Sequence, residues 1–168
     1  MLAGCAAVQR GEGEQGVEAI KRGFDAWQGL GSALGAPWFL GEFAAGLCSI
    51  GRYDEALEVV RDALGRSEES GDRQFAPELR RIASVALAAQ GKLDEAESSL
   101  RWAIEIARAQ SARMWELRAT ATLARLLDQQ GRRGQARAML AEIYGWFTEG
   151  CDIADLKDAR ALLDELAI

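Results

Sequence analysis

One spacing constrains this chain more than any other feature. Gly91, Ala96, Leu100 and Ala103 have counterparts forty residues earlier in Gly51, Ala56, Val60 and Ala63. Forty residues later the set is Gly131, Ala136, Leu140 and Ile143, and a fainter copy, Gly11, Gly16, Ile20 and Gly23, stands first. No insertion separates the four copies, and a fixed period of this size marks stacked supersecondary units. A small residue, an aliphatic four positions on and a small or aliphatic residue three further fall on one stripe of a helix. The alanine lets a neighbouring helix approach closely. The glycine five positions before it is placed to end the preceding helix, in a left-handed conformation that only glycine adopts cheaply. Each unit is therefore predicted to be two antiparallel helices joined at that glycine.

Composition agrees. Apolar residues make up 49% of the 168 residues and charged residues 27%, enough apolar surface for one domain spanning 1–168 with a continuous core. Strand-like alternation is absent, and Pro37 and Pro77, again forty apart, suit the first turn of a helix. The net charge of −6 with no basic run disfavours nucleic acid, and no apolar run is long enough to span a membrane. Cys5, Cys48 and Cys151 lack metal-ligand spacing and read as reduced thiols of a cytoplasmic protein. Residues 2–5, LAGC, resemble a lipoprotein cleavage box, but the charged and apolar segments such a leader requires do not precede them. A short helix from Leu2 to Gln9 is the expectation.

In chain order the units are expected at about 1–33 with a shortened first helix, 37–70, 75–110 and 113–147, followed by a capping helix at 153–166. Ten of the eighteen glycines fall within residues 4–46, so the first unit is expected to be the loosest. Its shortened first helix suggests a fragment, a truncated reading frame or an N-terminal face covered by something else. Asp152 is placed to cap the last helix, with Asp155 three residues on in a capping-box-like arrangement. Glu97 and Arg101 are spaced for an ion pair. The fold class is all-α: a right-handed α-α superhelix of about four hairpins and a C-terminal cap.

The stripe following a glycine turn resembles the tetratricopeptide repeat in a form of about forty residues, although the Trp, Gly and Tyr usual in its first helix are missing. HEAT and armadillo repeats have a similar period, but the alanine stripe favours tetratricopeptide packing. Residues 112–166, and more weakly the chain back to about residue 3, are also similar to the tail of bacterial signalling proteins. Those proteins join a class III cyclase or a DNA-binding domain to a P-loop ATPase. No G-x-x-x-x-G-K-[ST] motif occurs here, so their catalytic activities do not carry over.

The chain has no histidine, which removes the commonest general base and most zinc sites. Carboxylate pairs such as Asp54-Glu55 and Asp94-Glu95 fit helix N-termini better than acid–base chemistry. No enzyme activity, cofactor or metal is expected. The tetratricopeptide resemblance implies a concave groove lined by the first helix of each pair. Its positions transfer to Trp38, Glu78, Arg81, Val85, Arg118, Arg125 and Asp128, with Cys5, Gly41, Ala45 and Cys48 on the same face. Arg81, Arg118 and Arg125 either meet the carboxylates of an acidic partner or pair with Glu78 and Asp128 within the chain. Trp115, Trp146 and Phe147 either anchor a partner or, as such residues more commonly do, fill a seam between helices. Cys48 as a redox sensor has no support in its neighbours. The reading is a non-catalytic interaction module that docks a peptide or partner domain. A ligand-sensing tail of a cyclase or ATPase signalling protein, and self-association through the N-terminal face, are the alternatives.

Overall fold

The turn glycines show why the period exists. Gly51, Gly91 and Gly131 have φ of 79°, 77° and 75°. A Cβ at any of the three would meet nothing within 4 Å, so backbone conformation and not space calls for glycine. Each turn closes with the same pair of hydrogen bonds. The glycine N–H donates to Cys48, Ala88 or Asp128, and the next N–H, of Arg52, Lys92 or Arg132, donates to Leu47, Leu87 or Leu127.

The computed structural model describes residues 13–28, 35–150 and 152–167. Among them are eight helices and no strand: α1 Gly13–Gln28, α2 Ala36–Ser49, α3 Tyr53–Ser70, α4 Ala76–Ala89, α5 Leu93–Ala109, α6 Arg113–Gln129, α7 Arg133–Tyr144 and α8 Ala154–Glu165. The expected helix at 2–9 lies outside the described residues, as does the face it would complete. No helix among the described residues is long and apolar enough to cross a membrane. Pro37 and Pro77 occupy first turns, as their ring geometry requires.

Three hairpins, α2/α3, α4/α5 and α6/α7, stack in order, with α1 packed on α2 at one end and α8 on α6 and α7 at the other. The first helices α2, α4, α6 and α8 touch one another in sequence, whereas the second helices α3, α5 and α7 do not. That asymmetry curves the stack and puts the first helices on its inner side. The repeat stripe forms the core. Ala56, Ala96 and Ala136 are at most 1% exposed, and Val60, Leu100 and Leu140 fill the space beside them at 2% or less. On the first helices Ala44, Ser84 and Ala124 occupy the equivalent small position and are equally buried. Glu97 meets Arg101 at 2.7 Å as expected, and also Arg132 at 2.6 Å, which ties consecutive hairpins together.

Two end details differ from expectation. Helix α7 stops at Tyr144, three residues early, with Gly145 as its C-cap. Asp152 does not cap α8: Ile153 is the N-cap, no side chain bonds the free N–H groups, and Asp155 turns to Arg118 instead. Asp152 lies one residue before the N-cap, and its carboxylate is 3.8 Å from Lys157 of the same helix. Leu156, Ala159, Leu162 and Leu166 of the capping helix are buried against the last hairpin, and Leu163 is partly buried beside them.

One turn lacks its glycine. Ser111, forty residues after the left-handed Gly71, has φ 55° and is the one non-glycine residue with positive φ among those described. A side chain in that conformation costs about 1–2 kcal/mol. Ser111→Gly should therefore raise unfolding free energy by about 1 kcal/mol, read as a higher midpoint at unchanged slope in urea denaturation; an unchanged or lower midpoint would contradict the turn geometry.

Candidate functional site

The inner face repeats with the same register as the core. Trp38, Glu78, Arg118 and Asp158 are successive occupants of one position on α2, α4, α6 and α8, and Ala45, Val85 and Arg125 are successive occupants of another. Of the residues inferred from sequence, the structure joins Glu78, Arg81 and Arg118 in one ion-pair network and sets Arg125 on the same cleft in a separate pair. Arg81 meets Glu78 with two parallel hydrogen bonds of 2.8 and 2.9 Å. Arg118 reaches Glu78 at 3.2 Å on one side and Asp155 at 3.2 Å on the other. Arg125 reaches Asp158 at 2.6 Å. A cleft of about 140 Å³ opens among Arg81, Thr122, Arg125 and Asp155.

Trp38 stands at the α2 end, beside Trp115 and Arg118, across a narrow gap floored by Gly41 and Leu79. A Cβ on Gly41 would lie 3.2 Å from Leu79 Cδ2, so this glycine sets how closely α2 and α4 approach. Val85, Ala45, Cys48 and Arg81 line a second cleft of about 270 Å³. Asp128 stands apart from the arginine network: its partner is Arg133, at 2.9 Å across the turn. Cys5 lies outside the described residues.

The electrostatics differ from a bare basic patch. Three arginines meet three carboxylates, Glu78, Asp155 and Asp158, so the face has no net charge to select an acidic partner. Burial opposes the charge on Arg81, but the Glu78 hydrogen bonds and the nearby Glu78 and Asp155 outweigh it and raise its pKa. Burial pushes the Cys48 thiol up to about 11 despite the opposing influence of Arg81, so the redox-sensor idea fails on thiolate content.

The aromatic residues separate. Trp115 is partly buried beside the groove and meets Phe75 edge-on at 6.1 Å. Trp146, expected in a seam, is 57% exposed and touches Phe147 at 5.1 Å.

Sequence reasoning missed Asp155 and Asp158, because 153–166 read only as a cap. The signal was present: each lies forty residues after a groove residue, Trp115 and Arg118, so α8 continues the face as a further first helix. It also missed Trp102, which is 52% exposed on α5 where the neighbouring copies have Asp62 and Glu142.

No family model matches the chain. Solved structures similar to it include two of the nearly identical TPR-like repeats assigned to a kinesin light chain of Podosopora anserina, one of them a point variant. Their TM-scores are both 0.69, at 17% and 18% identity, over 98% of this chain and 81% and 82% of theirs. The fold is thus a tetratricopeptide-like solenoid. An uncharacterized protein of Rhizobium meliloti is 32% identical over 113 residues, 67% of this chain. The chain spans 11% of the length of that curated relative.

With the other two cysteines changed to serine, Cys48 should react with iodoacetamide at pH 8 about a hundredfold more slowly than a free cysteine. Its rate should still be rising above pH 10, because the thiolate forms only near 11. A rate that levels off near pH 8.5 would contradict the burial argument.

Proposed function

We propose that this chain is a non-catalytic interaction module that docks a peptide segment or partner domain along its inner face. The observation that carries the reading is the continuous row of groove positions on α2, α4, α6 and α8, which runs from an aromatic end at Trp38 and Trp115 to a charged end at Arg125 and Asp158. Stacked helices hold such a surface ready-made, so little conformational freedom is lost when a partner binds. The charge pattern alternates, which favours a partner carrying both an apolar anchor and charges of both signs. Arg81, Arg118 and Arg125 then act as paired groups whose remaining N–H edges meet the partner, with Val85 and Trp38 as apolar contacts and Asp128 at the margin. We infer a cytoplasmic setting, in which Cys48 remains a thiol.

A second reading takes the module as the regulatory part of a larger signalling protein. It is favoured by the relative, in which the matched region is a small fraction of the whole. Occupation of the same face would then be relayed to the attached domains, such as a cyclase or ATPase. Self-association through the N-terminal face has no support among the described residues.

Peptides selected by display against the purified chain provide the test. They should slow amide hydrogen exchange in α2, α4 and α6, and Trp38→Ala or Arg125→Glu should weaken their binding about tenfold or more. Arg125 pairs with Asp158 at an exposed site, so its reversal should leave the melting temperature nearly unchanged. Protection confined to α3, α5 and α7, or binding indifferent to both substitutions, would contradict the proposal.

A further inference from the structure

The outer face carries a feature that the groove does not use. Helix α5 has a second apolar stripe, Trp102, Ile106 and Ala109, spaced to lie on one side. Forty residues earlier, α3 has Asp62, Arg66 and Glu69 at those positions, with Arg66 and Asp62 paired at 2.9 Å. The charged stripe is what a solvated outer surface calls for. The apolar one leaves Trp102 52% exposed.

Because α3 and α5 do not touch, a cleft of about 390 Å³ lies between them, bounded by Leu64 on one side and by Trp102 and Ile106 on the other. That volume is within the range of small-molecule sites. Arg80 and Arg73 also line it, and neither forms an ion pair among the described residues, whereas the adjacent Arg81 is fully engaged by Glu78. Arg80 Cζ lies 3.3 Å from the centroid of the Trp102 ring, which fixes the guanidinium plane. Its Nε is buried and lacks any hydrogen-bond partner. That buried nitrogen is closed to a ligand, so the donors that Arg80 offers the cleft are its terminal Nη groups.

We propose that the cleft between α3 and α5 binds a small amphiphilic monocarboxylate. Its carboxylate meets Arg80 and Arg73, and its hydrocarbon body lies along Trp102, Ile106 and Leu64. A planar guanidinium held face-on to an aromatic ring keeps its N–H edge for a carboxylate, the geometry in which such pairs are strongest. Charge selects a single negative group. Two arginines face one carboxylate, Glu68, in the cleft, which leaves one positive charge to be matched. An extended acidic peptide fits less well. On the far side of the Arg80 and Trp102 stack the surface is lined by Asp94 and Glu95, which would repel a chain running on. The site is separate from the inner face and stands or falls independently of it.

Sodium octanoate is the probe, titrated calorimetrically into the full chain, with octan-1-ol and the eight-carbon dicarboxylate suberate as controls. Octanoate should bind one to one and raise the melting temperature by mass action. Octan-1-ol and suberate should each bind about tenfold more weakly or not at all, the alcohol for lack of a charge-assisted hydrogen bond and suberate for its second charge. Arg80→Gln should weaken octanoate about tenfold or more, and Arg125→Glu, on the inner face, should not affect it. If Arg80→Gln does not fold, Ile106→Glu serves, because it places a second carboxylate on the cleft wall at a position where α3 carries the charged Arg66. Absence of octanoate binding, equal binding of octan-1-ol, or binding unaffected by the folded cleft variant would overturn the proposal.

Discussion

The structure depends on how closely helices approach where their side chains are small. Ala56, Ala96 and Ala136 on the second helices, and Ala44, Ser84 and Ala124 on the first, are almost wholly buried. A bulkier side chain at any of them would push two helices apart in a close-packed interior, at a cost of about 1–3 kcal/mol. Because these residues recur every forty positions, each hairpin meets its neighbour in the same way. The left-handed glycines at 51, 91 and 131 then return the chain at the same angle each time. Contacts run between neighbouring hairpins only, so the stack is built by repetition and not by long-range closure.

Both candidate sites follow from one asymmetry in that stacking. The first helices touch and make a continuous inner face, on which ion pairs cross from one unit to the next: Arg118 joins Glu78 of α4 to Asp155 of α8. The second helices stand apart and leave clefts on the outside. Most of the outer surface carries charged residues that tolerate water. The exception is on α5, where Trp102 and Ile106 interrupt the pattern and Arg80 stacks on the Trp102 ring. A repeat protein advertises its special positions by such departures, since the other copies show what the architecture alone requires.

Much of the hairpin architecture is legible in the sequence because its determinants are local. A glycine turn, a small residue five positions later and a proline at the next first turn each act within one unit. Partner choice is less legible. Whether Arg118 pairs with Glu78, Asp128 or Asp155 depends on helices brought together by the curvature, and Asp128 in fact turns to Arg133. The failed cap at Asp152 is instead a boundary error of one residue, since Ile153 takes the N-cap position. Ser111 shows that packing can override a local signal. It stands where the repeat places a glycine, and the turn forms regardless, carried by the packing of α5 and α6 on either side.

The groove exists only if the first helices lie on the inside of the curve. Spin labels on Ala45 and Val85, forty residues apart on α2 and α4, should be closer together than labels on Glu58 and Ser98, forty residues apart on α3 and α5. Pulsed electron paramagnetic resonance on the two doubly labelled chains, with the natural cysteines replaced, compares them directly. A shorter and narrower distance distribution for the Ala45 and Val85 pair is the predicted result. Equal distances, or a shorter one for the Glu58 and Ser98 pair, would mean that the stack is straight or curves the other way, and the inner face would cease to exist as a groove.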